Sequence, residues 1–300
     1  MCRFLRKVER EYAPRSACPY HSHIHAADVV QATHLLLRLG GPATSLAYAP
    51  LELYAILLAA ALHDIRHPGT NNNYQVNAMT DLAIRYNDES VLENMHASRA
   101  SALLEADIRG DVGEETIGIL GDMTKEQRRA FRKGLVKAIL YTDMALHFNH
   151  INDMTSWVEK LEAEMQDGDV ALDQIGKDKH AVLRDSFLPF VLHMADVSNP
   201  ARPTAVSAEW ARGVYDEFFL QGDREKNEGL PVSPLCDRDT TCPYESQVGF
   251  MKFVIQPAFV LLARVIPSVK DVVLPHMTDN FKYWNEKVEA KAANSEGEES

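Results

Sequence analysis

Apolar residues along this chain recur at three- and four-residue intervals, and strand-like alternation is nearly absent. Pro50 stands where a helix can begin, and the run from Leu51 to Asp64 continues without a breaker until Pro68-Gly69. Asn71 to Asn77 reads as loop. Asp88, Glu89 and Ser90 lead into a capped helix over 91–104. Residues 109–121 are glycine-rich and acidic and read as a connection. Thr124-Lys-Glu-Gln127 resembles a capping box, and the run behind it keeps helical spacing to His147. A polar, loop-like stretch follows over 164–178. Ser186 to Ala195 is an apolar helix closed by Asn199-Pro200. Gly229 to Tyr244, carrying three prolines and two cysteines, reads as a long loop of the kind that often serves as a lid. The small and charged residues after Val288 predict a disordered tail. No internal repeat is visible, so the pattern predicts an all-α fold forming one compact unit.

Composition narrows the setting more than the fold. With 300 residues, 46% hydrophobic and 25% charged, the chain can bury a sizeable core and is not disordered as a whole. A net charge of −12 argues against nucleic acid or an anionic membrane as the main partner. If the substrate is a phosphate ester, bound divalent cations are the obvious local counter-charge. Cys2, Cys18, Cys236 and Cys242 show neither a CxxC pair nor framework spacing, which favours reduced thiols and a cytoplasmic setting. Residues 1–15 lack the apolar core of a signal peptide. The longest apolar run, Leu51 to Leu62, is interrupted by Glu52 and is far shorter than the ~20 residues that span a bilayer.

Three segments concentrate His and Asp at helical spacing. His21 and His25 lie four apart, as do His63 and His67, with Asp64 beside His63. His193 and Asp196 form a third pair, three apart. A single His on an apolar helix is more often a packed core residue than a ligand. Carboxylates at the ends of strongly apolar helices are another matter, because burying them without a partner or a metal is costly. Two imidazoles and two carboxylates suit zinc or another transition ion, and a bridging carboxylate can recruit Mg²⁺ or Mn²⁺. His34, His147, His150 and His276 read as surface or packed residues.

Seven segments then carry a family resemblance. They are Tyr20-His-x-x-x-His-Ala-x-Asp-Val, His63-Asp-x-x-His-Pro-Gly, Tyr86-Asn-Asp-x-Ser-Val-Leu-Glu-Asn94, Thr142-Asp-Met144, His193-x-Ala-Asp-x-Ser-Asn-Pro200, Phe218-Phe-x-Gln-Gly-Asp223 and Ser246-Gln-Val-Gly-Phe250. In this order, from Tyr20 to about Trp284, the chain resembles the catalytic domain of the class I cyclic nucleotide phosphodiesterases, helical metal phosphohydrolases of the HD type. The resemblance implies a catalytic domain over 20–288, preceded by a short segment 1–19 and followed by the acidic tail 289–300. It implies hydrolysis of a 3′,5′-cyclic nucleotide to the 5′-monophosphate, with cAMP slightly favoured over cGMP. His25, His63, Asp64 and Asp196 are then the metal ligands. Zn²⁺ and Mg²⁺ are the expected ions, with Mn²⁺ as the alternative to the second, and a hydroxide bridging them is the nucleophile. His21 is the general acid for the 3′ oxygen. His67, Glu93, His96 and Thr142 form the surrounding shell. Gln247 addresses the base edge, Val214 and Phe250 clamp the ring, and Asn199 contacts the nucleotide.

The pattern has three departures. Ser22 stands where the family usually has Asn, and Met95 replaces the first His of a His pair, leaving His96. Only about twenty residues precede the first motif, so shortened N-terminal helices, or a fragment of a larger protein, are expected. The His-Asp core alone also permits another HD-type nucleotide phosphohydrolase. A catalytically inactive nucleotide-binding module is the alternative from a different class, although all the expected ligands are present.

Overall fold

The computed structural model describes residues 1–41, 48–109, 118–166 and 181–298. It consists of helices and turns, with no strand among the described residues. The helices are α1 (Cys2–Glu11), α2 (His23–Leu39), α3 (Pro50–Leu62), α4 (Asn72–Asn77), α5 (Asp81–Tyr86), α6 (Val91–Arg109), α7 (Lys125–Leu140), α8 (His147–Gln166), α9 (Ala181–Asp196), α10 (Thr204–Glu228), α11 (Pro243–Phe250), α12 (Gln256–Val265), α13 (Val269–Val272) and α14 (Leu274–Glu298). The chain divides into two compact units, Met1–Asp196 and Val197–Ser300, where the sequence suggested one.

In the first unit α3 is the centre, packed between α2 and α7, with α9 lying across α2, α3 and α7. Its sequence explains that place. Pro50 opens the helix and the Glu52 carboxylate accepts the Ala49 N–H at 2.8 Å. The alanine- and leucine-rich run behind them loses little side-chain entropy on becoming helical and can be buried on most sides. Leu62, Ile65, Phe131, Leu135, Ile139 and Phe190 close the core around it. Helix α7 begins with the expected capping box: Thr124 Oγ1 accepts from Gln127 N, and Gln127 Oε1 accepts from Thr124 N. Such a cap is worth about 1 kcal/mol. Within α9, Pro189 cannot donate to the carbonyl of Asp185, and Lys137 Nζ binds that freed oxygen at 2.8 Å.

Several expectations need correction. Asn71–Asn77 is not loop: Asn71 accepts the Tyr74 N–H at 2.9 Å and caps α4. Asparagine is a poor helix interior but a good cap, and the repeated Asn disguised the start. The run behind Thr124 is broken by a turn at Tyr141–Asp143 before α8. The segment after Val288 continues α14 to Glu298, because its Ala, Glu and Lys residues favour helix. The connection over 109–121 and the polar stretch over 164–178 lie largely outside the described residues.

In the second unit α14 packs against α10, α11 and α12. Among the described residues one helical run, Pro243–Val265, is long and apolar enough to cross a membrane, with a mean hydropathy of 1.6. Met251, Ile255, Phe259 and Leu262 along it are buried in the protein. The proline-rich loop after Gly229 is pinned to α10 by a buried carboxylate. Glu225 accepts from Gln221 Nε2, Ser233 N and Ser233 Oγ at 2.8, 2.7 and 2.6 Å. Lys226 pairs with Asp237 and Asp239, and Arg238 with Asp223. Gly222 lets the loop approach the helix, since a Cβ there would collide with the Cys236 carbonyl. Burial pushes the Cys236 thiol up to about 12. Gly222→Ala is therefore expected to lift the loop, costing about 1–3 kcal/mol in urea unfolding. Cys236 should then alkylate faster in mass-mapped labelling, and an unchanged rate would show that the loop is not seated through Gly222.

Candidate functional site

Apart from His193, the histidines and aspartates singled out by their spacing come together at helix ends rather than by sharing helix faces. His21 precedes α2, whose N-cap is Ser22, so only His25 of that pair is helical. His63 is the C-cap of α3, and His63 to Arg66 form the turn that delivers His67. Asp196 is the last residue of α9. Each candidate ligand is thus carried at or beside the end of a packed helix.

His25, His63, Asp64 and Asp196 present ligand atoms that all lie within 4.8 Å of one another. His63 Nδ1 lies 2.9 Å from the Ala60 carbonyl, which can only accept, so Nδ1 carries the proton. In the neutral ring Nε2 then presents a lone pair to Asp64 Oδ2 at 3.0 Å and Asp196 Oδ1 at 3.2 Å. A lone pair facing two carboxylates in a buried setting requires a cation there, a proton or a metal ion. His25 Nε2 repeats the arrangement, 3.0 Å from Asp196 Oδ1 and 3.5 Å from Asp64 Oδ2. Burial opposes charge on His63, yet Asp64 and Asp196 hold its pKa well above the usual value. Burial likewise works against the two carboxylates, and the histidines beside them still hold both well below the usual range. The donor set, two imidazoles and two carboxylates, fits a divalent transition ion.

The neighbouring residues orient this group. His96, buried on α6, uses Nδ1 against the Ile65 carbonyl at 2.7 Å, which turns Nε2 toward Asp64 Oδ1 at 3.8 Å. Burial lowers its pKa to about 4, so it is neutral. The His21 and His67 rings stack with centroids 3.8 Å apart, and Tyr20 sets its ring against both His21 and His25. Thr142 is buried, its hydroxyl donating to the Ile139 carbonyl. Glu93 accepts from Asn72 Nδ2 at both carboxylate oxygens, at 3.0 and 3.3 Å. Burial first, then the nearby charge of Asp143, raise its carboxyl to about 7. Asp143 in turn accepts from Ser90 Oγ at 2.6 Å. Asn72, Ser90, Asp143 and Tyr20 were not assigned roles from the sequence; Tyr20, Ser90 and Asp143 stand inside the quoted motifs, whereas Asn72 lies in the segment misread as loop.

His193 belongs to a different cluster. Its Nε2 lies 2.8 Å from His147 Nδ1, and the ring of His150 stacks on Tyr141 at 3.5 Å. Burial lowers His193 to about 3 and His150 to about 4. These histidines are packed core residues, His34 is exposed and His276 is half-buried.

The remaining candidates lie in the second unit. Asn280 of α14 donates to the carbonyls of Pro200 and Arg202 at 2.8 and 2.7 Å and fixes the turn that carries Asn199. Val214 on α10 and Phe250 on α11 are half-buried, and Gln247 is buried. Burial raises the pKa of the Tyr215 hydroxyl, and the nearby side chains of Gln247 and Ser246 oppose that rise. Ser246 Oγ in turn donates to the Cys242 carbonyl at 2.9 Å. That carbonyl only accepts, so the Ser246 hydroxyl is the donor in this bond.

Residues 20–276 match the family described as 3′5′-cyclic nucleotide phosphodiesterase. The chain is 40% identical over 266 residues to a mouse dual specificity calcium/calmodulin-dependent 3′,5′-cyclic nucleotide phosphodiesterase 1C, covering 89% of this chain and 34% of that protein. It is 34% identical over 288 residues to a rat 3′,5′-cyclic-AMP phosphodiesterase 4C, covering 96% of this chain and 50% of that protein. The chain therefore spans a third to a half of these relatives' length. Among solved structures it is similar to the phosphodiesterase domain of Salpingoeca rosetta rhodopsin phosphodiesterase, with a TM-score of 0.81, 28% identity and 98% and 82% of the two chains covered. It is also similar to LmjPDEB1 in complex with IBMX, with a TM-score of 0.80, 27% identity and 96% and 79% covered.

Glu93 supplies a test of the site's electrostatics. Its folded pKa is raised, so the stability it contributes is complete below about pH 4.5 and is lost as pH rises through about 7. A shift of this size corresponds to about 3 kcal/mol. In EDTA-stripped protein, Glu93→Gln should resist urea better than the parent at pH 8.5 and equally at pH 4.5. A difference independent of pH would contradict the raised carboxyl.

Proposed function

Since residues 20–276 match over most of its length, the chain belongs to the 3′5′-cyclic nucleotide phosphodiesterase family, and we propose that it hydrolyses a 3′,5′-cyclic nucleotide to the 5′-monophosphate. The observation that carries this reading is the convergence of His25, His63, Asp64 and Asp196, with the His63 lone pair and the His25 Nε2 atom both turned on carboxylates. Those four residues are the proposed ligands of two divalent ions, Zn²⁺ at the histidine-rich position and Mg²⁺ or Mn²⁺ at the other. When bound, such ions supply Lewis-acid chemistry, offsetting phosphate charge and making a hydroxide nucleophile accessible near neutral pH.

The chain's own groups do the rest. Water adds across the bond between phosphorus and the 3′ oxygen, and that oxygen leaves with a proton. His21 is the proposed donor of this proton. It lies close enough to Asp64 for its charge to lower that carboxylate's pKa. Stacking on His67 and the edge of Tyr20 restrict its ring. Glu93, His96, His67 and Thr142 orient the ligands and the waters around them, as such neighbours commonly do. Gln247 is assigned the purine edge, Val214 and Phe250 the ring faces, and Asn199 a further nucleotide contact.

Base preference follows from the direction of the Gln247 amide. Adenine and guanine present donor and acceptor in opposite order along the edge, so an amide held one way suits one of them. Tyr215, close enough to Gln247 for that side chain to influence its pKa, is the group proposed to hold the amide. We read this as preference for a single base, with cAMP favoured. Hydrolysis of cAMP and cGMP by the purified chain, with EDTA and then Mg²⁺ or Mn²⁺ added back, tests the activity. Metal-dependent release of 5′-monophosphate is expected, and turnover of only non-cyclic phosphate esters would replace this reading. His21→Ala should keep bound metal while lowering kcat roughly 10²–10⁴-fold. Tyr215→Phe should move the cAMP/cGMP ratio of kcat/KM toward one, and an unchanged ratio would remove Tyr215 from base selection.

A further inference from the structure

The turn between His63 and His67 contains an unusual residue. Arg66 has φ of +64°, the left-handed region that glycine adopts freely and a side-chain-bearing residue enters at a cost. It sits between Asp64 and His67, and the turn closes with His67 N donating to Asp64 O at 3.0 Å. Any relaxation of Arg66 would swing Asp64 and His67 relative to each other.

The N-terminal segment grips this residue. Arg66 Nε donates to Glu11 Oε2 at 2.5 Å. Glu11 is itself largely shielded and is held on its other side by Arg99 of α6, through Nε at 2.9 Å and through a second nitrogen to Oε1. Arg99 first, and then Arg66, hold the Glu11 carboxyl below its ordinary value against the effect of burial. The next residue, Tyr12, is buried and donates its hydroxyl to the Ala61 carbonyl at 3.0 Å, in the last turn of α3. From the opposite side, His96 of α6 binds the Ile65 carbonyl at 2.7 Å. His96 and Arg99 stand three apart on one helix, so α6 reaches the turn directly through His96 and indirectly through Glu11.

We propose that Glu11 is a positioning residue for the metal group, clamping Arg66 in its left-handed conformation between α1 and α6 so that Asp64 and His67 stay aimed. The proposal rests on Asp64 being a metal ligand. It gives α1 a function that the motifs, which begin at Tyr20, do not contain. An exposed ion pair on its own contributes little. What distinguishes a clamp from a mere adhesive contact is that glycine at position 66 should make it unnecessary.

The test uses the full chain, stripped with EDTA and titrated with Co²⁺, read by its visible absorption and by calorimetry, with thermal unfolding as a folding control. Glu11→Gln should weaken Co²⁺ binding about 10-fold, the scale typical of residues that orient ligands. Adding Arg66→Gly to Glu11→Gln should bring affinity back to within about 3-fold of the parent, since glycine takes the left-handed turn unaided. A folded Glu11→Gln chain with parental Co²⁺ affinity overturns the proposal, as does a double variant that is no better than the single. Should Glu11→Gln not fold, Arg66→Ala and Arg66→Gly decide. The alanine chain must bind Co²⁺ more weakly than the glycine chain, and equal affinities overturn the clamp. Co²⁺ binding is read without turnover, so a parent chain that binds Co²⁺ but hydrolyses no cyclic nucleotide refutes the proposed activity while leaving this comparison intact. A parent that binds no Co²⁺ overturns both.

Discussion

The constraint on which the site depends is a buried excess of lone pairs. Ala60's carbonyl commits the proton of His63 to Nδ1, and the ring then has only a lone pair to offer two carboxylates about 3 Å away. Hydrogen bonding alone cannot satisfy that geometry in the neutral state. A cation resolves it, and the same feature explains the directions of the pKa shifts, with His63 raised and both aspartates lowered in spite of burial. Without a metal, a proton must stand in, which links the ion affinity of the group to pH.

The fold serves this constraint by placing helix ends, not helix faces, at the group. Helix α3 is nearly apolar and is buried by α2 and α7, which leaves its C-terminus fixed and free of choice. His63, Asp64 and His67 all hang on the turn that follows it. Helix α9 delivers Asp196 from its last position, and α6 supplies Glu93, His96 and Arg99 from one stretch of helix. His63, Asp64, His67 and Asp196 thus depend on helix ends, and small changes in the turn after α3 bear directly on the first three.

How far the sequence reveals this depends on what each residue's role requires. The all-helical class was legible because the 3.6-residue period is written in every apolar run. The convergence of His25, His63, Asp64 and Asp196 was legible because their types and order form a pattern, although the spacing argument misplaced the histidines: His21 with His25, and His63 with His67, do not share helix faces. The Asn71 cap was misread because Asn marks loops and caps alike. Asn72, Asp143 and Glu11 were missed because their partners are distant in the chain, Glu93 lying 21 residues from Asn72 and Arg99 lying 88 from Glu11. Long-range polar pairs leave no periodic trace. The second histidine cluster around His193 shows the converse: three apart from Asp196 on the same helix, its ring points to His147 instead.

Net charge bears on the proposed substrate. A chain at −12 should repel a phosphodiester, and the group proposed to receive it carries two carboxylates of its own. Two divalent ions more than cancel those carboxylates and reverse the local sign, so the acidic balance is compatible with an anionic substrate only when the group is loaded. The acidic residues near the group are consistent with this division of labour. Glu93 remains partly neutral near pH 7, avoiding a further negative charge, while Asp143 is tied down by Ser90 and the Ala145 N–H. On the proposed function, metal loading and substrate attraction would be one event rather than two, because the ion that meets the His63 lone pair would also be the charge that admits the phosphate.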